Sequence, residues 1–296
     1  MTRPSPTSMR KSQRSSLALL VVFVVIGNVM SVLAGKHLPD FSVAQDRKSL
    51  TPLQMEIEKQ QQRLSSAEVE ERGDALLRLR SLQHPQASRV ALSSLSDPVP
   101  MVRATAAASV LWLPAEESVA GLVPLLSDKD EFVRQQTAYA LGQTRSRLAV
   151  AALVERLSDK KDSVRGAAAV ALGEIADAAA VTPLAAVLDP QTGLTQSKKS
   201  KKSKQEKNLL VLRAAARSLG QIGNRAAVPA LLAVLKDEKA ESDVRREAAV
   251  SLGMIGDASA VPALRAAAET APDPYLAAAA HEAIKKISKS QAAGGN

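Results

Sequence analysis

The chain has no cysteine, only three histidines and only six aromatic residues among 296. Without cysteine there can be no disulfide, thiolate nucleophile, thiolate zinc site or lipid attached through sulfur. His37, His84 and His281 lie far apart in the sequence, so a histidine metal site or an imidazole base is poorly supplied. Six aromatics are too few for a platform on which nucleic-acid bases stack. A wholly disordered chain is excluded by the opposite excess: 46% of the residues are apolar. The length suits one large domain or two small ones.

Charge is unevenly placed. Thirty-nine Lys and Arg against thirty Asp and Glu leave +9. Residues 1–16 hold Arg3, Arg10, Lys11 and Arg14 with no acid. Residues 190–207 hold Lys198, Lys199, Lys201, Lys202, Lys204 and Lys207 against Glu206 alone. These two segments account for the whole excess, so the remainder is neutral. A basic isoelectric point usually points to nucleic acid, but here the candidate folded body carries no basic surplus, and nucleic acid is not expected as a partner.

Leu17 to Ala34 is an 18-residue stretch without charge behind the basic arm 1–16. As a helix it would span about 27 Å, close to the hydrocarbon thickness of a bilayer. Residues 17–35 therefore read as a transmembrane anchor. The alternative is a signal segment with an apolar core at Leu17–Ile26 and a small-residue cleavage pattern at Val32-Leu33-Ala34. Asn28 and Ser31 weaken the span and keep that alternative open. A buried core helix fits less well, since the run has no amphipathic stripe. Both main readings export the chain beyond residue 35: a single-pass protein of the cell membrane with its N-terminus inside and the rest extracytoplasmic, or a soluble exported one if cleaved near Ala34.

The body is repetitive. VRQQTAYALG, VRGAAAVALG, VLRAAARSLG and VRREAAVSLG end at Gly142, Gly173, Gly220 and Gly253, spaced by 31, 47 and 33 residues. Eight residues after each glycine stands a Val (Val150, Val181, Val228, Val261), and eleven after it a Leu (Leu153, Leu184, Leu231, Leu264). A Leu ladder (Leu95, Leu126, Leu157, Leu188, Leu235) closes each unit, and Asp97, Asp128, Asp159 and Asp237 follow four of its rungs by two residues. Repeats of this period mean stacked supersecondary units.

Each unit reads as two helices. Asp97 with Pro98 behind it suits an N-cap followed by proline at the first helical position. Val164, Ala168, Ala171 and Leu172 fall on one helical face, and in the preceding unit the same face reads Val133, Thr137, Ala140 and Leu141. The glycine is expected to close the helix in a left-handed conformation. A second, almost wholly apolar helix comes next, with Pro183, Pro229 or Pro262 in its first turn. A pair this short cannot cover such a face alone, so neighbouring pairs must stack. The expected fold is all-α: an α-solenoid of about six two-helix units (66–96, 97–127, 128–158, 159–189, 208–236 and 242–270), preceded by a single N-terminal apolar helix. A helix near 274–287 caps the stack, and 289–296 reads as a disordered tail.

The pattern Asp, Val-Arg-x-x-Ala-x-x-x-Leu-Gly and then Ala-Val-x-x-Leu resembles HEAT repeats, specifically the short bilin-lyase-like class. The resemblance is strong over 97–270 and weak over 66–96. It implies superhelices that present a long surface to other proteins. Arg103, Arg134, Arg165 and Arg245 recur in register, while Arg213 falls one residue late with Leu212 in its place. The resemblance and the neutral charge sum both favour a structural ladder, each Arg pairing with an Asp (Asp97, Asp128, Asp159, Asp237) at a neighbouring helix start, over a basic binding stripe.

The 47-residue interval exceeds the 31-residue period by sixteen. Its surplus, residues 190–207, has no apolar periodicity and cannot offset the entropy of ordering by burial. It reads as a solvated loop insertion, or more sharply as an electrostatic tether for an anionic partner such as acidic lipid. Residues 36–50 read as a linker. Thr51-Pro52-Leu53-Gln54 resembles a capping box opening a helix over about 52–64 that covers the first repeat, within a linker-and-cap segment 36–65.

Enzymatic relatives must be faced. The class that this chain resembles includes enzymes: deoxyhypusine hydroxylases hold two irons with repeated His-Glu pairs on HEAT-like helices. This chain has one such pair, His281-Glu282, and one His with one Glu cannot build a diiron site. Bilin lyases of similar repeat type act on chromophores, and no residue here matches a bilin-handling position. No phosphate loop, nucleophile elbow or metal spacing appears. The acidic run Asp128-Lys129-Asp130-Glu131 suits a helix start. No catalytic, metal or cofactor residue is therefore assigned. Trp112, Phe132 and Tyr139 are the candidate protein-contact residues, each also readable as filling space in its unit. The expectation is a membrane-tethered scaffold that binds other proteins, the alternative an enzyme or maturation factor related to those lyases or hydroxylases.

Overall fold

The computed structural model of the protein describes residues 50–188 and 206–294. The basic arm 1–16, the apolar segment 17–35, the linker to residue 49 and Lys198, Lys199, Lys201, Lys202 and Lys204 lie outside the described residues. Contacts divide the chain into Met1–Met55 and Glu56–Asn296. In the described part of the first unit the capping box closes: the Thr51 N–H donates to Gln54 Oε1 at 2.8 Å and the Gln54 N–H to Thr51 Oγ1 at 3.2 Å. It opens helix α1 (Pro52–Arg63).

The described residues contain no strand. The second unit is built of leading helices α2 (Val69–Ser81), α4 (Pro100–Ser109), α6 (Glu131–Gln143), α8 (Asp162–Ile175), α10 (Leu209–Ile222) and α12 (Ser242–Ile255). They alternate with trailing helices α3 (Pro85–Ala91), α5 (Ala115–Leu122), α7 (Val150–Arg156), α9 (Val181–Leu188), α11 (Val228–Lys236) and α13 (Val261–Thr270). Helix α14 (Pro274–Gly294) closes the order. It packs on α12 and α13, covering their apolar sides, and it continues past the 274–287 expected from its charges, so 289–294 is helical. Each leading helix packs on the next, and the trailing helices touch one another more sparsely.

Two rows of leucine explain the stack. Leu79, Leu141, Leu172, Leu219 and Leu252 stand one residue before the glycine place, and Leu122, Leu153, Leu184, Leu231 and Leu264 eleven after it; all are buried. Burying one such side chain contributes about 1.5–3 kcal/mol.

The glycines do something other than the sequence suggested. Gly142, Gly173, Gly220 and Gly253 lie inside their helices and do not end them. The left-handed residues come three later, at Arg145, Ala176, Gly223 and Gly256, with φ of 51°, 56°, 69° and 77°. What the Leu-Gly glycine provides is close approach: a Cβ on Gly142 would sit 2.8 Å from Ala171 Cα, and one on Gly253 2.8 Å from Ala283 Cα. Beside this crossing, Ser109, Ser218 and Ser251, two residues before the glycine place, donate their hydroxyls to the carbonyls of Leu76, Ala169 and Ala216 on the preceding leading helix.

The helix starts also shift. Helix α4 begins at Pro100 behind Val99, and Asp97 stands further out, accepting the Val99 N–H at 2.8 Å. That position leaves its carboxylate free to take Arg72 from the preceding unit as well. The short 3-10 turns that lead into four of the trailing helices have their own caps, Ser146, Asp177, Asn224 and Asp257, four residues after the glycine place, each accepting the N–H two residues on.

Candidate protein-contact face

Two sets of polar and apolar residues recur along the stack, and they face different tasks. The first set is the arginine ladder. Arg103 Nε and Nη2 donate to both oxygens of Asp128 at 2.7 and 2.8 Å, and its Nη1 donates to the Asp97 and Pro98 carbonyls. Arg134 repeats this with Asp159 and the Asp128 carbonyl, and Arg72 with Asp97. Each guanidinium thus ties the start of its own helix to the start of the next unit. Burial pushes the Asp97, Asp128 and Asp159 carboxyls up. The arginine and backbone hydrogen bonds outweigh it and hold all three below the usual carboxylate range.

Beyond Asp159 the ladder changes. Arg165 is paired with Glu206 through both oxygens, and also with Asp162. Glu206 accepts the Asn208 N–H as the aspartates accept theirs. Its carboxyl is likewise pushed up by burial, and Arg165 together with the Asn208 and Lys207 N–H groups holds it below the usual range. Glu206 is therefore the ladder's carboxylate carried past the insertion: 41 residues separate it from Arg165, where 25 separate Arg103 from Asp128. Residues 206 and 207 belong to the fold, and Lys207 is exposed. Leu212 removes the next rung, and the Asp237 carboxylate accepts only the Lys239 N–H among the described residues. Arg245 makes no ion pair there and donates to the Leu235 carbonyl at 3.1 Å.

The second set lies on the outward side of the leading helices. Met101, Phe132 and Leu210 share one register position, ten residues before the glycine place, and are 58%, 39% and 70% exposed. Tyr139 and Val170 share another, three residues before it, and both line a cleft of about 490 Å³ with Leu210. Trp112, 45% exposed, stands one residue after the glycine place, in a unit whose leading helix stops early at Ser109. Leu111 fills the glycine place there and Pro114 the left-handed one. Pro114 cannot adopt a positive φ. Phe132 and Tyr139 are therefore on one face, and Trp112 shares its register with residues of that face such as Met254. Sequence reasoning missed Met101 and Leu210; their spacing from Phe132 in the repeat was the available signal.

His281 is exposed on α14, and its neighbour Glu282 lies 3.8 Å from Lys285. Among the described residues no three His, Cys, Asp or Glu side chains converge in a way that could hold a metal. None of the described helices is long and apolar enough to cross a membrane.

The sequence model of the family described as HEAT repeats matches residues 57–142, 119–197 and 203–285. This chain belongs to the HEAT-repeat family. Comparison with curated proteins finds no match. Among solved structures, the HEAT-repeat chain is similar to the complex of CpcE and CpcF of phycocyanin lyase from Nostoc sp. PCC7120, at 20% identity and a TM-score of 0.47 over 81% of this chain and 95% of that one. It is also similar to human deoxyhypusine hydroxylase in complex with glycerol, at 20% identity and 0.38 over 79% and 96%. A designed armadillo repeat protein in complex with the peptide (KR)4 gives 19% identity and 0.46 over 77% and 98%.

Proposed function

We propose that this HEAT-repeat protein is a binding scaffold without chemistry of its own, held to the cell membrane by residues 17–35 with its repeats on the extracytoplasmic side, and that it engages other proteins through the face of its leading helices. The observation that carries the reading is the apolar register on that face. Met101, Phe132 and Leu210 are exposed at equivalent positions of three units, where a solvated helix would place polar groups. Aromatic and methionine side chains are enriched at protein interfaces. The Lys-rich insertion adds an electrostatic attraction to anionic lipid, each lysine contributing about 1 kcal/mol near such a surface and less at high salt.

The test is crosslinking in native membranes with the wild-type chain and a Met101→Glu, Phe132→Glu variant. Partner crosslinks should fall at least tenfold in the variant while its Tm stays within a few degrees. Undiminished crosslinks would reject the face, and about two irons per purified chain would replace the scaffold by the hydroxylase-like alternative.

A further inference from the structure

Resting on that reading, we propose that the cleft above Gly166 seats a peptide segment of the partner that carries a carboxylate beside an apolar side chain, with Arg213 taking the carboxylate. The cleft runs between α6 and α10 across α8, walled by Tyr139, Val170 and Leu210 and floored by Gly166. A Cβ on Gly166 would meet only Val211 Cγ2, at 3.9 Å. Unlike Gly142, then, this glycine brings no helix closer, yet it sits mid-helix where alanine is the better residue. What it leaves is space.

The charges around that space are hydrogen-bonded except for one. Arg217 is held by Glu247 through two hydrogen bonds. Asp162 is held by Arg165 and Asn208. Arg213 donates no hydrogen bond among the described residues, and its Nε is buried without an acceptor. Its Nη1 is 3.7 Å from Asp243, whose carboxylate is already engaged by Arg246. The register explains the difference. Leu212 occupies the ladder position, so the arginine falls one residue later and lines the cleft. Arg246, at the matching position of the next unit, is occupied by Asp243 and by the Tyr275 ring at 5.5 Å. A half-buried guanidinium that makes no hydrogen bond and shares its one distant carboxylate with Arg246, beside three apolar side chains, is complementary to a carboxylate flanked by an apolar group, because the planar fork accommodates both oxygens at once.

Panning the full-length chain in mild detergent against a phage-displayed random dodecapeptide library tests this. Enriched peptides should carry Asp or Glu next to an apolar residue. Their affinity should drop about ten- to a hundredfold in Arg213→Gln, the range for hydrogen bonds to charged groups, and at least as far in Gly166→Leu, which fills the cleft. Arg213→Glu should prefer the same peptides with Lys replacing the acid. Enrichment without an acid, equal binding by Gly166→Leu, or a chain dimer that Gly166→Leu dissociates would each overturn the proposal. Crosslinks lost with Met101 and Phe132 but insensitive to Gly166 would sink the cleft alone and leave the face standing.

Discussion

At the scale of single residues, Thr137 and the glycines show how one position in a repeat can be judged against its equivalents. Thr137 is fully buried, and its hydroxyl has no partner. The same place holds Ala75, Ala106, Ala168, Ala215 and Ala248 in the other units. Thr137→Val keeps the shape and removes the stranded donor, so it should stabilise the fold by about 1 kcal/mol, read as a rise in denaturant midpoint at constant slope. Alanine at two glycines should act with opposite sign. Gly142→Ala drives a Cβ into the α8 backbone and should cost about 1–3 kcal/mol, whereas Gly166→Ala makes only an ordinary contact with Val211 and should gain up to about 1 kcal/mol through helix propensity. Equal effects in thermal unfolding would refute the packing role of the Leu-Gly pair. The sequence showed that these glycines matter but not why: a left-handed cap and a tight crossing both select glycine, and only the path of the next helix separates them.

At the scale of elements, the ladder sets how units join. Asp128→Asn leaves the buried Arg103 without its counter-charge and should cost about 3–5 kcal/mol. The sign of the pH response is set by the same carboxyls. The folded-state carboxyls of Asp97, Asp128 and Asp159 lie below their unfolded values, so their contribution is fully present above the unfolded value of about 4 and is lost as pH falls below it. Urea midpoints between pH 6 and pH 3 should fall, and less steeply in Asp128→Asn. The insertion gives a sharper test. Removing residues 190–205 joins Asp189 to Glu206 and restores the 25-residue spacing from Arg165. It should change stability by less than about 1 kcal/mol. Removing 190–206 takes the rung as well and should cost about 3 kcal/mol more. Most of the ladder was legible from Asp and Arg recurring in step. Glu206 was hidden because sixteen extra residues displace it and because a glutamate stands where the other units use aspartate.

At the scale of the whole molecule, helix pairing, the leucine rows and the order of units were readable in advance, since period and burial are written in the same residues. The proposed contact face was only half readable. Trp112, Phe132 and Tyr139 stood out as rare aromatics in an Ala-rich chain, but Met101 and Leu210 look like ordinary core residues until the helices are placed side by side. Gly166 and Arg213 were less visible still. A mid-helix glycine and an arginine one residue out of step gain meaning only when three leading helices bring them together.

The central claim is that partners meet the leading helices and not the trailing ones. A photo-crosslinking amino acid placed singly at Met101, Phe132 and Val250, and at Glu155 and Arg265 on α7 and α13, measures this directly in native membranes. Partner adducts from the first three positions and none from the last two are the expected outcome. Adducts confined to Glu155 and Arg265 would contradict the account.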